Sequence, residues 1–185
     1  QVTTIVLDKT GTVTEGKMWV AAAVAADGYD RRDLVRLAGS AEDASEHPIA
    51  QAIATFARSE AGALATAESF KNRSGLGIEA VVDGHAVVVG RPAMLADWGL
   101  VLPPELQAVF AEEESKGRTV VAAAIDGRAA GLFVVADRIK PTSAEAIADG
   151  IRAFRAGGFT QIEILLWPRT LAALEAMAPD LERLD

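Results

Sequence analysis

The chain has no cysteine, only two histidines and no long apolar run. The missing cysteines exclude disulfides and thiolate metal sites, and the scarcity of histidine argues against a resident transition metal. A formal net charge of −8 disfavours a nucleic-acid-binding protein, because no basic stripe is present to neutralise phosphates. The apolar runs at 120–125 and 129–136 are strand-sized, well short of the roughly 18 residues of a membrane span.

Hydrophobic residues make up 50% of the 185-residue chain, enough to bury the core of one large or two small domains. The chain begins at Gln1, in the approach to a strand, with neither an initiating Met nor a signal peptide. We therefore expect a soluble piece of a longer protein.

The most informative stretch is Asp8-Lys9-Thr10-Gly11-Thr12, directly after a β-branched apolar run at 2–7. The run predicts a buried strand, and open α/β sheets place ligand sites at the carboxyl ends of such strands. The hydroxyls and backbone N–H groups that follow suit a phosphoryl group. The stretch therefore predicts that Asp8 is a nucleophile that becomes an aspartyl phosphate, in preference to an Asp that only caps a turn.

Thr10 refines this prediction, because its hydroxyl cannot act as an acid or base near neutral pH. Phosphatase relatives of this loop usually carry a second Asp at that position, which helps to form and hydrolyse the acyl phosphate. Without that group the phosphorylated state should persist and can serve as an energised intermediate. The pentapeptide resembles the phosphorylation loop of the P-type ATPases, ion pumps that phosphorylate an Asp from ATP.

Four helices are predicted between this loop and residue 116. Asp30 can cap the first helix, and Leu34 and Leu37 lie on one of its faces. Pro48 suits the first turn of the second helix. The expected helices cover residues 31–40, 48–60, 92–98 and 104–116.

Two Asp-Gly pairs, at 83–84 and 126–127, lie between strand-like runs and predict two β-hairpins. A further strand or extended segment is expected at 17–26. The hairpins imply an antiparallel sheet, whereas the opening strand, a helix at 142–156 and a buried strand at 161–166 imply a parallel α/β sheet. The middle of the chain is thus predicted to be a domain inserted between two parts of an α/β domain.

A second set of motifs lies in this middle part: Glu42, Ser45-Glu46-His47-Pro48, Gly75-Leu76-Gly77-Ile78 and Gly90-Arg91. His47 precedes a helix start, where its ring can face a ligand, and glycines let a flat group approach the backbone. Each signal alone is weak, since a His before Pro is more often a surface cap and Gly-x-Gly is commonplace. Their joint order resembles the nucleotide-binding domain of the heavy-metal-transporting P-type ATPases.

This resemblance implies an ATP site. Glu42 would bind the adenine edge, and His47 would orient the base. Gly90 would lie near the phosphates or the ribose, and Arg91, where the family usually has Asn, could meet a phosphate. The remaining residues of the implied site are Glu46 in the His-Pro motif and Gly75, Gly77 and Ile78 on the pocket floor.

Residues 137–141, Asp-Arg-Ile-Lys-Pro, resemble the Asp-x-x-Lys-Pro segment where the family's chain re-enters the phosphorylation domain. Taken alone, the segment would equally suit an ordinary loop followed by a helix start. The resemblance implies that its Asp and Lys border the phosphorylation site. The implied catalytic residues are Asp8, Lys9, Thr10, Thr12, Asp137 and Lys140, with Mg²⁺ held by Asp8 and the backbone carbonyl of Thr10.

The fold class implied by the resemblance is α/β. It is a haloacid-dehalogenase-like (Rossmann-like) phosphorylation domain, incomplete in this chain, with an inserted α+β nucleotide-binding domain built on an antiparallel sheet flanked by helices. The phosphorylation domain would comprise residues 1–15 and 136–185, and the nucleotide-binding domain residues 16–135.

The resemblance is poor over residues 158–185. The family's strand ends there in Thr-Gly-Asp, but here residues 162–166 run into Trp-Pro-Arg-Thr at 167–170. The family's Mg²⁺-binding Gly-Asp-Gly-x-Asn-Asp string does not occur in the sequence. Because phosphoryl transfer depends on positioning and charge neutralisation, we expect the chain to bind nucleotide better than it reacts. Apolar residues at helical spacing between 171 and 181 still predict a packed helix.

The leading hypothesis is the cytoplasmic ATP-binding and phosphorylation region of a heavy-metal-translocating P-type ATPase of the cell membrane, with ATP and Mg²⁺ as cofactors. Copper is the family's commonest cargo, although zinc-group metals use the same nucleotide pocket. Its partners would be ATP and the transmembrane and actuator domains of the pump, which this chain lacks. The alternatives are a nucleotide-binding module without turnover and, disfavoured by Thr10, a stand-alone phosphatase with an inserted cap domain.

Overall fold

The computed structural model describes the backbone of residues 4–8, 14–139 and 163–167 and of positions 149, 152, 153, 156 and 157. Side chains are described for residues 17–137 and for those single positions. No helix within these ranges is long and apolar enough to span a membrane. In chain order the elements are β1 (Thr4–Asp8), β2 (Thr14–Ala25), α1 (Arg31–Glu42), α2 (Pro48–Ala61), β3 (Glu68–Arg73), β4 (Gly77–Val82), β5 (His85–Gly90), α3 (Pro92–Asp97), α4 (Pro104–Ser115), β6 (Thr119–Ile125), β7 (Arg128–Ile139) and β8 (Glu163–Trp167).

The chain forms two compact units. The first comprises residues 1–17, 115–117 and 137–185, and the second comprises residues 18–114 and 118–136. Compactness assigns no function to either unit. The boundaries of a phosphorylation and a nucleotide-binding domain after residues 15 and 135 therefore stay predictions.

In the first unit, β1 and β8 form a parallel pair, with Thr4 opposite Glu163 and Asp8 opposite Trp167. The strands predicted from the apolar runs, and their parallel direction, are confirmed. Asp8 is the last residue of β1, so it lies at the carboxyl end of a parallel strand. The helix predicted at 142–156 lies outside the described residues apart from single positions, and the predicted tail helix lies outside them entirely.

In the second unit, six strands form one sheet in the order β2-β7-β6-β5-β4-β3, and successive pairs from β7 to β3 are antiparallel. The two predicted hairpins are β4–β5 and β6–β7. Their turns place Asp83, Gly84, Asp126 and Gly127 at φ of 51°, 81°, 50° and 75°. Positive φ at both central residues is the requirement that favours Asp-Gly in two-residue hairpins.

The four predicted helices are present, and their ends lie within one or two residues of the expected ones. Asp30 caps α1 by accepting hydrogen bonds from the backbone N–H groups of Arg32 and Asp33 at 2.8 and 3.1 Å. Pro48 opens α2 and His47 is its N-cap residue. Asp30 at the N-cap of α1 and Pro48 in the first turn of α2 thus have the roles that the sequence predicted.

Strand β3 was not predicted. Its residues are Glu-Ser-Phe-Lys-Asn-Arg, almost all of them exposed, and the register with β4 shifts between Glu68 and Lys71. It lies at the edge of the sheet, where charged side chains and irregular pairing are common because they discourage further strand addition. Such a strand has no alternation of apolar residues, so hydrophobic periodicity cannot reveal it.

The core of the second unit occupies both faces of the sheet. Alternate residues along β6 point to opposite faces. Val121, Ala123 and Ile125 belong to the cluster that contains α1 and α2, whereas Val120, Ala122 and Ala124 belong to the cluster of Leu95, Leu102 and Leu106. The helices therefore cover both sides of the sheet, and the ends of its strands are left to form a site.

Candidate functional site

The second unit contains a cavity of about 290 Å³. It is formed where the end of α1, the start of α2, the β3–β4 turn, the end of β5 and the start of β6 meet. Seven residues that the sequence singled out line it together, namely Glu42, His47, Gly75, Gly77, Ile78, Gly90 and Arg91. Glu46 is exposed and does not belong to the lining.

Glu42 is the last residue of α1 and is only 5% exposed. Among the described residues, no side chain or backbone group hydrogen-bonds to its carboxyl group. Burial removes the water that would stabilise the charge and raises the pKa of Glu42 to about 7. The cavity therefore contains a carboxyl group that can be neutral or ionised near neutral pH.

His47 serves as the N-cap of α2 and also lines the cavity. Its Nδ1 accepts a hydrogen bond from the backbone N–H of Ile49 at 3.2 Å. Nδ1 is therefore the unprotonated nitrogen, and we assign the ring proton of the neutral tautomer to Nε2, where it is available as a donor. The sequence left open whether His47 caps a helix or faces a ligand. In the structure it caps α2 and also lines the cavity.

The turn before His47 is held by polar contacts. Ser45, which is buried, accepts a hydrogen bond at Oγ from the backbone N–H of His47 at 3.3 Å. The side-chain amide of Gln51 donates to the carbonyl oxygen of Ser45 at 2.5 Å. These contacts fix the approach of the chain to α2 and so fix the position of the imidazole.

The glycines of the cavity have different roles. Gly77 and Gly90 are paired across β4 and β5, and a Cβ on Gly77 or Gly90 would lie 2.7 or 2.8 Å, respectively, from the sulfur of Met94. The nearest atoms to such a Cβ are backbone carbonyl oxygens, of Val89 for Gly77 and of Leu76 for Gly90, so the close approach of the two chain segments leaves no room for a side chain at either position. Gly75, at φ 74°, would place a Cβ with no other atom within 4 Å, so it is the one that leaves free space.

Two arginines line the cavity, and they differ in their partners. Arg73, which the sequence did not single out, pairs with Glu79 and lies over the ring of Trp98, 5.8 Å from the ring centroid. Arg91 donates its backbone N–H to Leu76, and within the described part of the chain its guanidinium makes no ion pair or hydrogen bond. Arg91 is thus the cation with free donors at this site.

Other residues that line the cavity were not predicted from the sequence. They give no motif of their own, because short polar and apolar residues in a turn or at a strand end are common everywhere. Their only signal is their closeness in sequence to the glycine motif or to a predicted strand. They include Asn72, Ser74, Thr119, Val120 and Val121.

The predicted catalytic residues belong to the other unit and are only partly described. Asp8 is placed by its backbone at the end of β1, and Asp137 is half-buried. Lys9, Thr10, Thr12 and Lys140 lie outside the described residues. In the part of the chain that is described, no three His, Asp or Glu side chains group together as metal ligands.

A model of the haloacid dehalogenase-like hydrolases matches residues 2–166. The chain belongs to this family. This hydrolase-family chain is 38% identical over 147 residues to the probable copper-exporting P-type ATPase V of Mycobacterium tuberculosis. The match covers 80% of the chain and 19% of that relative, so the chain spans less than a fifth of the relative's length.

Solved structures show the same relationship for this hydrolase-family chain. A zinc-transporting PIB-type ATPase in the E2·Pi state matches with a TM-score of 0.75 and 30% identity, over 96% of this chain and 28% of that one. The N-domain of a copper-transporting P-type ATPase matches with a TM-score of 0.54 and 23% identity, over 65% of this chain and 99% of the domain. The predicted haloacid-dehalogenase-like fold and the resemblance to heavy-metal P-type ATPases are confirmed.

Proposed function

We propose that this chain is the ATP-binding and phosphorylation region of a heavy-metal-translocating P-type ATPase of the cell membrane. ATP binds in the cavity of the second unit, and its γ-phosphoryl group is transferred to Asp8. Copper is the cargo suggested by the name of the Mycobacterium tuberculosis relative. The remaining partners of the chain are then the transmembrane and actuator domains of the pump.

The observation that carries the proposal is the convergence of separate motifs on one cavity. These motifs come from different helices, strands and turns, yet they line the same cavity of about 290 Å³. They are Glu42, His47, the Gly75–Gly77 turn and Gly90-Arg91. Membership of a hydrolase family would not by itself require such a cavity in an inserted unit.

The chemistry of the lining suits a nucleotide. A cavity of this size is near the lower end for small-molecule sites, which suits a base and its sugar better than a complete ATP molecule. The Glu42 carboxyl and the His47 Nε2–H supply hydrogen-bonding groups for a base. Arg91 supplies the free cation that phosphates need.

The proposed transfer makes one bond and breaks one. A carboxylate oxygen of Asp8 bonds to the γ-phosphorus, while the bond from that phosphorus to the β–γ bridging oxygen breaks and ADP leaves. Mg²⁺, when bound, neutralises phosphate charge, and the oxygen donors of Asp8 and Thr10 are of the type that Mg²⁺ prefers. The residues proposed to border the reacting group are Lys9, Thr12, Asp137 and Lys140.

A second function, nucleotide binding without turnover, is favoured by one observation on the sequence. The 185 residues contain the nucleophile but not the Gly-Asp-Gly-x-Asn-Asp string that supplies Mg²⁺ ligands in the family. In this case ATP binds to the chain alone, and no phosphoenzyme forms.

Calorimetric titration of ATP tests the proposal. We expect His47→Ala to weaken ATP binding by roughly 1–3 kcal/mol, the scale of a lost buried polar contact. His47→Asn is the matched control, because Asn keeps a cap acceptor for α2 but removes the imidazole. Equal losses in both variants would support contact between the ring and the base. Full affinity in His47→Asn would mean that only the cap matters.

Asp8→Asn separates binding from chemistry. We expect unchanged ATP affinity, and no acid-stable ³²P-labelled protein from γ-labelled ATP. Labelling of the unmodified chain but not of Asp8→Asn would support transfer to Asp8, and no labelling of either would support binding without turnover. Absence of ATP binding by the unmodified chain would refute the nucleotide-site assignment.

A further inference from the structure

Glu42 is the acidic residue of the cavity lining, and its carboxyl has no partner among the described residues. It is 5% exposed and ends α1. The ionisable neighbours in the connecting turn, Asp43 and Glu46, are acidic and offer no positive charge to Glu42, and the nearby cation Arg58 pairs with Asp43. The cavity, rather than another protein group, therefore has to satisfy the hydrogen-bonding capacity of Glu42.

The charged groups on the elements around Glu42 are engaged elsewhere or carry no hydrogen bond to it. His47, on α2, uses Nδ1 to cap its own helix. Arg73, at the end of β3, pairs with Glu79 of β4. Arg91, at the start of α3, makes no described contact with Glu42, and the ends of β5 and β6 at the cavity carry no ionisable side chain.

The two protonation states of a carboxyl group offer different hydrogen bonds. A carboxylic acid has one O–H donor beside one C=O acceptor, whereas a carboxylate has acceptors only. The Watson–Crick edge of adenine has the N1 acceptor beside the N6 amino donor. The acid form complements both atoms, while the carboxylate would oppose its lone pairs to those of N1. Guanine differs, since its N1–H and N2–H groups both donate and suit a carboxylate.

We propose that Glu42 recognises the base as a neutral carboxylic acid, donating its O–H to adenine N1 and accepting from the N6 amino group, so that ionisation of Glu42 selectively weakens ATP binding. The inference rests on the proposed function and adds a determinant of base specificity to it. Burial in the cavity is what keeps the acid form populated near neutral pH.

The size of the effect follows from the fraction of Glu42 that is protonated. With a pKa of about 7, that fraction falls about tenfold between pH 6 and pH 8. ATP affinity should fall by about the same factor if only the acid form pairs with adenine. Ionisation of Glu42 should not lower GTP affinity, because the N1–H and N2–H donors of guanine suit the carboxylate that forms as the pH rises.

The experiment compares the unmodified chain with Glu42→Gln by calorimetric titration of ATP and GTP at pH 6, 7 and 8. Gln offers an N–H donor and a C=O acceptor at every pH, so it reproduces the hydrogen-bonding pattern of the acid without its titration. The ratio of the two ATP affinities at each pH cancels the titration of ATP phosphates and of other cavity groups. We expect this ratio to change about tenfold from pH 6 to pH 8, with Glu42→Gln the tighter binder at pH 8.

A ratio that stays constant with pH would overturn the inference, and so would Glu42→Gln binding ATP more weakly than the unmodified chain at pH 8. In both cases ATP still binds, so the proposed function stands. Should Glu42→Gln fail to fold, the unmodified chain alone decides: an equal loss of ATP and GTP affinity with pH would refute edge pairing, and a loss confined to ATP would support it. No ATP binding at any pH would refute both proposals.

Discussion

At the residue scale, the burial of Glu42 has a consequence for stability as well as for binding. Its pKa is about 7 in the folded chain, compared with 4.5 for an ordinary Glu. A carboxyl whose pKa is raised on folding makes its full contribution to the free energy of unfolding below pH 4.5. That contribution is lost as the pH rises through about 7. Glu42→Gln should escape this loss, which amounts to about 3 kcal/mol.

Urea unfolding of both chains at pH 5 and pH 8.5 measures this difference. We expect the free energy of unfolding of Glu42→Gln, relative to the unmodified chain, to increase with pH. The comparison at two pH values removes any pH-independent effect of the amide. A difference that does not vary with pH would mean that the Glu42 carboxyl is solvated in the folded chain.

Single residues also show what the sequence could and could not reveal about the site. Glu42, His47 and Gly90 were identified because their order matches a known domain, and they do line one cavity. The steric requirement at Gly77 and Gly90 could not be read from the sequence, since it depends on backbone atoms of the neighbouring segment and on Met94 of α3. The different partners of Arg73 and Arg91 likewise depend on tertiary contacts that no local pattern encodes.

At the element scale, α1 and α2 pack closely because of one glycine. A Cβ on Gly39 of α1 would overlap the Cβ of Ala57 of α2. Gly39→Ala should therefore destabilise the chain by about 2 kcal/mol, because the overlap outweighs the gain in helix propensity of about 1 kcal/mol. Chemical denaturation measures the change.

The double variant Gly39→Ala, Ala57→Gly is the control for this contact. It exchanges the two side chains across the interface, so the overlap is removed and most of the loss should be recovered. A coupling energy of about 1 kcal/mol or more in the double-mutant cycle is expected. Simple additivity of the two single changes would show that the helices separate instead of clashing.

Elements also differ in how well the sequence predicts them. The hairpin β4–β5 was predictable because Asp83-Gly84 satisfies a backbone requirement by local chemistry. The edge strand β3 was not, because its pairing with β4 is decided by a neighbouring strand and its own residues are polar. Local chemistry thus predicts turns and caps, while an exposed edge strand is recognised only in the assembled sheet.

At the scale of the whole molecule, the second unit has its own sheet and its own core on both faces of that sheet. A fragment of residues 14–139 contains every strand of the six-stranded sheet and all the lining of the cavity. We expect this fragment to unfold cooperatively in urea and to bind ATP within about 0.5 kcal/mol of the complete chain, as independent parts do.

Circular dichroism and calorimetry check this prediction, with His47→Asn in the fragment as the control for specific binding. A fragment that unfolds without cooperativity would show that the inserted unit depends on the rest of the chain. A folded fragment that has lost ATP affinity would show that residues outside 14–139 take part in binding.

The pairing of β1 with β8 has a consequence for the order of events during synthesis. Residues 4–8 are synthesised before the inserted sheet, but their partner strand, residues 163–167, is synthesised after it. The hairpins between them need only short loops to close, and short loops close first. The inserted sheet can therefore be complete before Ile5, Val6 and Leu7 have their partner strand. Until then this unpaired strand is open to misassociation with other chains.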